Sequence, residues 1–136
     1  MLTVFISFIY LLASQPIVLF KEVVDILHEL YSVYSELGTV ILMGDFNAKI
    51  KGSRYDFNHD DRSAYLHRIV SELGLTSITS DKMCFGPNHT FQGYNDGPVS
   101  LIDHIVISRD LVSDVCHASV LDDTNLNVSD HYPFFL

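Results

Sequence analysis

The chain has 136 residues and a mass of 15.4 kDa, a length that fits a single domain. Hydrophobic residues make up 48% of it and the formal net charge is -9. The chain can therefore bury a core, a basic nucleic-acid-binding domain of the usual kind is disfavoured, and an acidic site for a divalent cation is permitted.

The first residues are apolar and allow two interpretations. Leu2 to Tyr10 is rich in Val, Ile, Phe and Tyr, which is typical of a buried strand. Met1 to Ala13 also resembles the hydrophobic region of a signal peptide, although no Lys or Arg precedes it. We favour the strand and an intracellular protein, nuclear or cytoplasmic, with secretion as the alternative. Glycosylation triplets at Asn88 and Asn127 would matter only after secretion.

Apolar residues at steps of three and four predict two amphipathic helices, over 20–37 and 65–73, and each is followed by a glycine. Asp60 or Asp61 is the expected cap of the second helix. No apolar run reaches the roughly eighteen residues of a membrane-spanning helix, so we expect no membrane.

Strands are predicted by short apolar runs. They are Thr39–Met43, Leu75–Thr79, Thr90–Phe91, Leu101–Ser108 and Val115–Leu121. The first of these runs is typical of a strand covered on both faces. Polar loops are expected over 51–60 and 122–129. Strand, helix, strand, helix and then several strands favour a mixed α/β or α+β layered fold.

Two small sets of residues each allow two interpretations. Cys84 and Cys116 lack zinc-ligand spacing, and we expect them to be buried thiols, with one disulfide as the alternative. Lys49, Lys51 and Arg54 form either a patch that steers phosphate or an ordinary solvated loop.

Polar residues interrupt the apolar pattern at three places, the first being Gly44-Asp45-Phe46-Asn47-Ala48. Asp45 and Asn47 are two residues apart, so in an extended chain they project to the same side. They follow a strand, where α/β sheets tend to place ligand sites. A carboxylate beside an amide can hold a phosphate, its attacking water and a metal-bound oxygen. The alternative is a plain turn, since Asp and Asn are common turn residues.

The second interruption lies within the apolar strand Leu101–Ser108, at Asp103 and His104. A charge in such a strand costs free energy unless it is paired. Alternation places the two side chains on opposite faces, so one should find a polar partner inside the molecule while the other can face water. The alternative is an edge strand with one wet face.

The third interruption is Ser129-Asp130-His131-Tyr132-Pro133. Asp130 and His131 can serve one site only if the backbone is irregular there, and Pro133 disfavours regular strand pairing. A histidine held by a carboxylate is a familiar general-base arrangement. The alternative is a structural hydrogen bond.

In order and character these motifs resemble those of the endonuclease/exonuclease/phosphatase superfamily. The continuation Asn47-Ala48-Lys49-Ile50 resembles the endonuclease domains of non-LTR retrotransposons. The resemblance implies a layered α/β sandwich, with two mixed sheets face to face and flanking helices. It also implies metal-dependent cleavage of a phosphodiester, with DNA as the substrate.

The resemblance also implies a role for each motif residue. His131 would be the general base on the attacking water, and Asp103 would orient it. Asp130 and Asp45 would bind Mg²⁺ or Mn²⁺. Asp45 and Asn47 would contact the attacked phosphate and the nucleophile or leaving group.

The sequence departs from the family pattern on its amino-terminal side. Complete members carry an Asn on a first strand and a metal-binding Glu on a later one, and we identify a counterpart of neither residue in 1–136. The family also has an active-site Tyr in a Tyr-x-Pro-like stretch. Ile9-Tyr10-Leu11-Leu12 resembles a degraded form of that stretch, with the Pro displaced to Pro16, so the resemblance would make Tyr10 the active-site Tyr. We therefore expect residues 1–136 to be a single partial domain, the C-terminal part of a nuclease. We expect it to have reduced metal affinity and an apolar surface where further strands would pack.

Two functions follow from this reasoning. The first is a divalent-metal-dependent endonuclease that nicks DNA. The second is a non-catalytic remnant that binds metal or nucleic acid without cleaving it. A protein partner is not predicted.

Overall fold

The computed structural model describes residues 3–54, 60–121 and 129–136. In chain order the elements are β1 (Val4–Tyr10), α1 (Ile17–Ser35), β2 (Thr39–Asp45), α2 (Asp61–Glu72), β3 (Leu75–Ser77), β4 (Cys84–Phe85), β5 (Phe91–Gln92), β6 (Val99–Ser100), β7 (Asp103–Ser108), a 3₁₀ helix (Arg109–Asp114), β8 (Ala118–Val120) and β9 (Phe134–Phe135). Both predicted helices and all the predicted strands are present, with somewhat different ends.

The first sheet has the strand order β1-β2-β7-β3. β1 runs parallel to β2, whereas β7 runs antiparallel to both β2 and β3. The sheet is therefore mixed, and the strand that carries Asp103 and His104 lies inside it. The edge-strand alternative for that segment is wrong, because hydrogen-bonded neighbours flank β7 on both sides.

Both α-helices pack on one face of this sheet. Asp60 begins α2 by accepting hydrogen bonds from the backbone N–H groups of Arg62 and Ser63, as predicted for a cap. The apolar stripes of the two helices meet alternate residues of the strands. The buried cluster between them includes Phe20, Val24, Leu66, Ile69, Val70, Ile9, Val40, Leu42, Leu75 and Val106.

A second mixed sheet, with the order β4-β8-β9, packs on the opposite face of the first. Residues of both sheets form one buried cluster. It contains Ile78, Cys84, Ile105, Ile107, Ala118, Val120 and Tyr132. The molecule thus has three layers, helices, first sheet and second sheet, which confirms the predicted sandwich. A separate two-stranded ribbon pairs β5 with β6.

Strand β1 carries the exposed apolar surface that the sequence predicts. Its side chains alternate, so that Ile9 is buried under the helices while Val4, Ile6, Phe8 and Tyr10 are 47–79% exposed. These four residues point to the side of the second sheet, whose three short strands do not extend over β1. On β2 the side chains that point to the side of the second sheet, such as Ile41 and Met43, are likewise only half-buried. The prediction that β2 is covered on both faces is therefore only partly met.

Several expectations need correction or fall outside the described ranges. Cys84 is buried, but Cys116 is exposed and both thiols are free, so neither the second buried thiol nor the disulfide is found. Leu2, Asn127 and most of the loop 122–129 lie outside the described residues. Within the described part of the chain, no helix has the length and apolarity needed to cross a bilayer.

Candidate active site

A row of three residues crosses the first sheet at the end of β2. In the strand register Tyr10 pairs with Asp45, and Asp45 pairs with Asp103. Paired residues of neighbouring strands project from the same face, so these three side chains share the face toward the second sheet. Gly44 has φ +132°, and a Cβ there would lie 2.1 Å from the carbonyl oxygen of Ile9. A glycine is therefore needed for β1 and β2 to approach closely beside Asp45.

The chain turns sharply after Asp45, and the turn ties Asn47 to that carboxylate. The backbone N–H of Asn47 donates to Oδ1 of Asp45 at 2.8 Å, and Nδ2 donates to Oδ2 at 2.9 Å. Nδ2 also donates to the carbonyl oxygen of Leu11 at 2.7 Å. Asn47 itself has φ +43°, a conformation that Asn tolerates better than most residues. A turn was the alternative interpretation of the motif at 44–48, and the structure does contain one. This turn holds the side chains of Asp45 and Asn47 together.

Asp103 and His131 form a close pair beside Asp45. Nδ1 of His131 lies 2.9 Å and 3.1 Å from the two carboxylate oxygens of Asp103. The Asp103 side chain is only 7% exposed, whereas that of His131 is 34% exposed. Burial raises the pKa of Asp103, and hydrogen bonds from Thr90 and His131 act in the opposite direction. The arrangement is that of an imidazole oriented by a buried carboxylate.

His131 reaches Asp103 because its segment pairs with the ribbon strand β5. Tyr132 N–H donates to the carbonyl oxygen of Thr90 at 2.7 Å, and Gln92 N–H donates to that of Asp130 at 2.9 Å. These bonds leave His131 opposite Phe91 in a single bridge. The predicted irregular backbone is present, since residues 129–130 form a bend before that bridge.

His104 lies on the other face of β7, as alternation predicts, and does not belong to the site. It is fully buried, with Nδ1 2.8 Å from the Ser77 hydroxyl and Nε2 3.1 Å from the carbonyl oxygen of Ala48. Both residues of the Asp103-His104 pair therefore have partners inside the molecule. Neither side chain faces water, although the sequence allowed this for one of them, because the helix layer covers His104 while Thr90 and His131 contact Asp103.

The structure brings most of the predicted site residues together. One potential ligand atom from each of Asp45, Asp103 and His131 lies within 4.8 Å of the others. Burial raises the pKa of Asp45, and the negative charge of Asp130 adds to this effect. Asp130 is exposed and is not part of this cluster, so its predicted role as a metal ligand stays a prediction. Tyr10 is 70% exposed on the neighbouring strand, so its role stays a prediction.

The phosphate-steering interpretation of the basic residues, one of the two left open, is not supported at Arg54. Its guanidinium donates to the carbonyl oxygens of Cys84, Gly86 and Pro87, with 2.7 Å for each of the last two. Arg54 therefore fastens the turn after β4, a role that residue type alone does not reveal. Of the three basic residues, this one has a structural function.

Thr90 and Gln92 are contacts of the site that the sequence reasoning did not single out. Thr90 is fully buried and Gln92 is half-buried. Both lie in or next to β5, which supports His131. The sequence signals were the short predicted strand at Thr90–Phe91 and the place of that pair in the family resemblance, ahead of the Asp103 strand, and neither signal assigned a function to Thr90 or Gln92.

The carboxylates of the site suit a hard divalent cation. The half-buried Asp45 carboxylate offers oxygen ligands within the cluster, and Mg²⁺ or Mn²⁺ prefers such ligands. Asp103 and Nδ1 of His131 already satisfy each other, which leaves them less suited as ligands.

Comparisons with known proteins identify a matching family and similar folds. A family model described as "Endonuclease-reverse transcriptase" matches residues 4–135. The endonuclease domain of TRAS1, a telomere-specific non-LTR retrotransposon, superposes with a TM-score of 0.61 and 22% identity over 92% of this chain and 51% of that one. A 3'-5' exonuclease from Neisseria meningitidis superposes with a TM-score of 0.69 and 22% identity over 95% of this chain and 59% of that one.

A third similar structure is an endonuclease/exonuclease/phosphatase family protein from Bacteroides thetaiotaomicron. It has a TM-score of 0.56 and 27% identity over 85% of this chain and 42% of that one. The present chain thus spans about half the length of the solved structures that it matches. No curated protein sequence matches it significantly.

Proposed function

Because the chain belongs to the endonuclease-reverse transcriptase family, within the endonuclease/exonuclease/phosphatase superfamily, we propose that it performs divalent-metal-dependent phosphodiester hydrolysis as a DNA endonuclease of retrotransposon type. Members of this superfamily are nucleases and phosphatases that act on phosphodiesters or other phosphate esters. The choice of DNA is supported by the TRAS1 endonuclease domain and by a similar Neisseria 3' phosphatase that is bound to a product DNA hairpin.

The observation that carries the proposal is the contact between Asp103 and Nδ1 of His131, 2.9 Å long, next to Asp45. A neutral imidazole donates from one ring nitrogen and accepts with the other. With its Nδ1–H donated to Asp103, His131 keeps Nε2 as the nitrogen that accepts a proton from the attacking water. Asp103 stabilises the imidazolium that results, because its carboxylate stays beside the ring in the buried part of the site.

Asp45 and Asn47 supply the other half of the proposed chemistry. Asn47 Nδ2 donates one hydrogen to the Asp45 carboxylate and the other to the carbonyl oxygen of Leu11, so in this scheme Asn47 holds Asp45 in the orientation that the phosphate and the cation need. Asp45 and Asp130 are the proposed ligands of Mg²⁺ or Mn²⁺. A divalent cation bound there would neutralise charge on the phosphate and stabilise the leaving oxygen. The protein side chains then position the water and receive its proton.

The test is nicking of supercoiled plasmid by the purified chain in the presence of Mg²⁺ or Mn²⁺. His131→Ala should remove the activity, and Asp103→Asn should reduce it by about 10²-fold or more, because the general base His131 then loses the carboxylate that orients it and stabilises its charged form. His117→Ala is the matched control, because His117 is an exposed histidine outside the site. Activity no higher than that of His131→Ala would refute the proposed catalysis by this chain.

A second function is supported by the half-length match to solved structures and by the exposed apolar face of β1. In that case residues 1–136 are a partial domain that binds metal or nucleic acid without cleaving it. Saturable stabilisation by Mn²⁺ in thermal unfolding, lost in Asp45→Asn and accompanied by no nicking, would favour this function. Full nicking activity would exclude it.

A further inference from the structure

The Thr90 hydroxyl is fixed at the start of β7. Thr90 is fully buried, and its Oγ1 accepts the backbone N–H of Asp103 at 3.0 Å and that of Ile102 at 3.2 Å. A hydroxyl has two acceptor lone pairs and one donor hydrogen, so both acceptor sites are used. The main chain that carries Asp103 is therefore held by one side chain that belongs to a different part of the fold.

The same short segment also holds the chain on both sides of His131. The Thr90 carbonyl accepts from Tyr132 N–H at 2.7 Å, and Gln92 N–H donates to Asp130 at 2.9 Å. Between them, the ring of Phe91 meets the ring of His131 edge to face, with 5.2 Å between centroids. Residues 90–92 thus contact the chain at Asp103 and at His131 through backbone hydrogen bonds and a ring contact, separately from the hydrogen bond between Asp103 and His131.

A side-chain bond strengthens the contact on the His131 side. The hydroxyl of Tyr132 donates to Oε1 of Gln92 at 2.6 Å, and Tyr132 is buried, with 8% of the residue exposed. Because Tyr132 directly follows His131, a fixed Tyr132 ring limits the rotation of the backbone that presents the imidazole. Small displacements matter here, since catalytic groups must be held to within roughly 0.5 Å of their productive geometry.

We propose that residues 90–92 are the positioning element of the site, in which Thr90 aligns Asp103 and Gln92 aligns His131 through the Tyr132 hydroxyl. This inference rests on the proposed function, because it assigns these residues to the hydrolysis that His131 and Asp103 perform. Thr90, Gln92 and Tyr132 are positioning residues in this scheme, since none of them is placed on the reacting atoms.

The test compares Tyr132→Phe, Thr90→Val and Thr90→Ser with the wild type. Tyr65→Phe is the matched control, because it removes another 2.6 Å hydroxyl bond, to Asp25, on the helix side of the molecule. The first readout is the ¹H–¹⁵N NMR spectrum of the His131 ring, which reports whether Nδ1 carries the proton. It needs no catalytic activity, so it separates failure of this inference from failure of the proposed function.

We expect Tyr132→Phe and Thr90→Val to broaden or shift the His131 Nδ1–H signal, while Thr90→Ser and Tyr65→Phe leave it in place. In plasmid nicking, the first two should lower kcat by about tenfold to 10²-fold with little change in KM, the pattern of lost alignment. Unchanged His131 signals and an unchanged kcat in folded Tyr132→Phe and Thr90→Val would overturn the inference. If Thr90→Val does not fold, Tyr132→Phe decides it alone.

Discussion

Acidification should destabilise the fold through His104, the buried histidine on the helix side of the first sheet. Its Nε2 donates to the carbonyl oxygen of Ala48, and its Nδ1 lies beside the hydroxyls of Ser77 and Thr79. Burial lowers the pKa of His104 from 6.5 to about 4. The surroundings supply hydroxyls and a carbonyl but no carboxylate partner among the described contacts, so they favour the neutral ring.

The sign and the size of the effect follow from that pKa. Above pH 6.5 the ring is neutral in both the folded and the unfolded state, so the full contribution of His104 to stability is present. As the pH falls, the unfolded chain takes up the proton first, and stability is lost until about pH 4. One pKa unit is worth about 1.4 kcal/mol, so the loss between pH 7 and pH 5 is roughly 2 kcal/mol.

Two carboxylates of the site, one buried and one half-buried, act in the opposite direction. Burial raises the pKa of Asp45 and of Asp103, so the folded state disfavours their charged forms. Their contribution to stability is present below the unfolded pKa and is lost as the pH rises through the folded one. The effect of His104 must therefore be measured as a difference between two proteins.

The assay is urea unfolding at pH 5, 6 and 7 for the wild type and for His104→Gln, which keeps a nitrogen donor but does not titrate. We expect the variant to be less stable at pH 7, because packing around the ring is lost. We also expect its free energy of unfolding to fall by roughly 2 kcal/mol less than that of the wild type between pH 7 and pH 5. Parallel pH profiles for the two proteins would refute the reasoning.

Two further predictions concern the backbone. Asp60→Ala should lower the free energy of unfolding by about 1 kcal/mol, because the cap of α2 is lost, whereas Asp61→Ala should have a smaller effect. Equal losses of unfolding free energy for the two variants, measured in urea, would contradict the role of Asp60 as the cap. Gly44→Ala should cost about 3 kcal/mol or more, because its Cβ would lie 2.1 Å from the Ile9 carbonyl oxygen. Gly74→Ala should cost only about 1 kcal/mol, because Gly74 has φ +67° but open space where the Cβ would lie. Thermal unfolding in which Gly74→Ala is more destabilising than Gly44→Ala would refute the argument.

The helices and the three polar motifs were predictable because their signals are local. Apolar residues at helical spacing define α1 and α2, and Asp60 stands directly before the second helix. Alternation alone is enough to place Asp103 and His104 on opposite faces of β7. Each of these features depends on residues within a few positions of one another.

The features that were missed depend on contacts between distant parts of the chain. The sequence of β7 does not show that β2 and β3 flank it, so an edge strand remained an alternative. The strands β4, β6 and β9 have two residues each, too few to give a periodic signal. The roles of Arg54 and Thr90 likewise arise from partners more than ten positions away.

Alternation along β7 also has a consequence for insertions and deletions. Asp103 faces the site and His104 faces the helices, so a slip of one residue would exchange the two environments. A carboxylate would then lie in the apolar layer beneath α1 and α2, and an imidazole would take its place opposite Asp45. The loop between β6 and β7 is accordingly a part of the chain where losing or gaining one amino acid would damage folding and chemistry together.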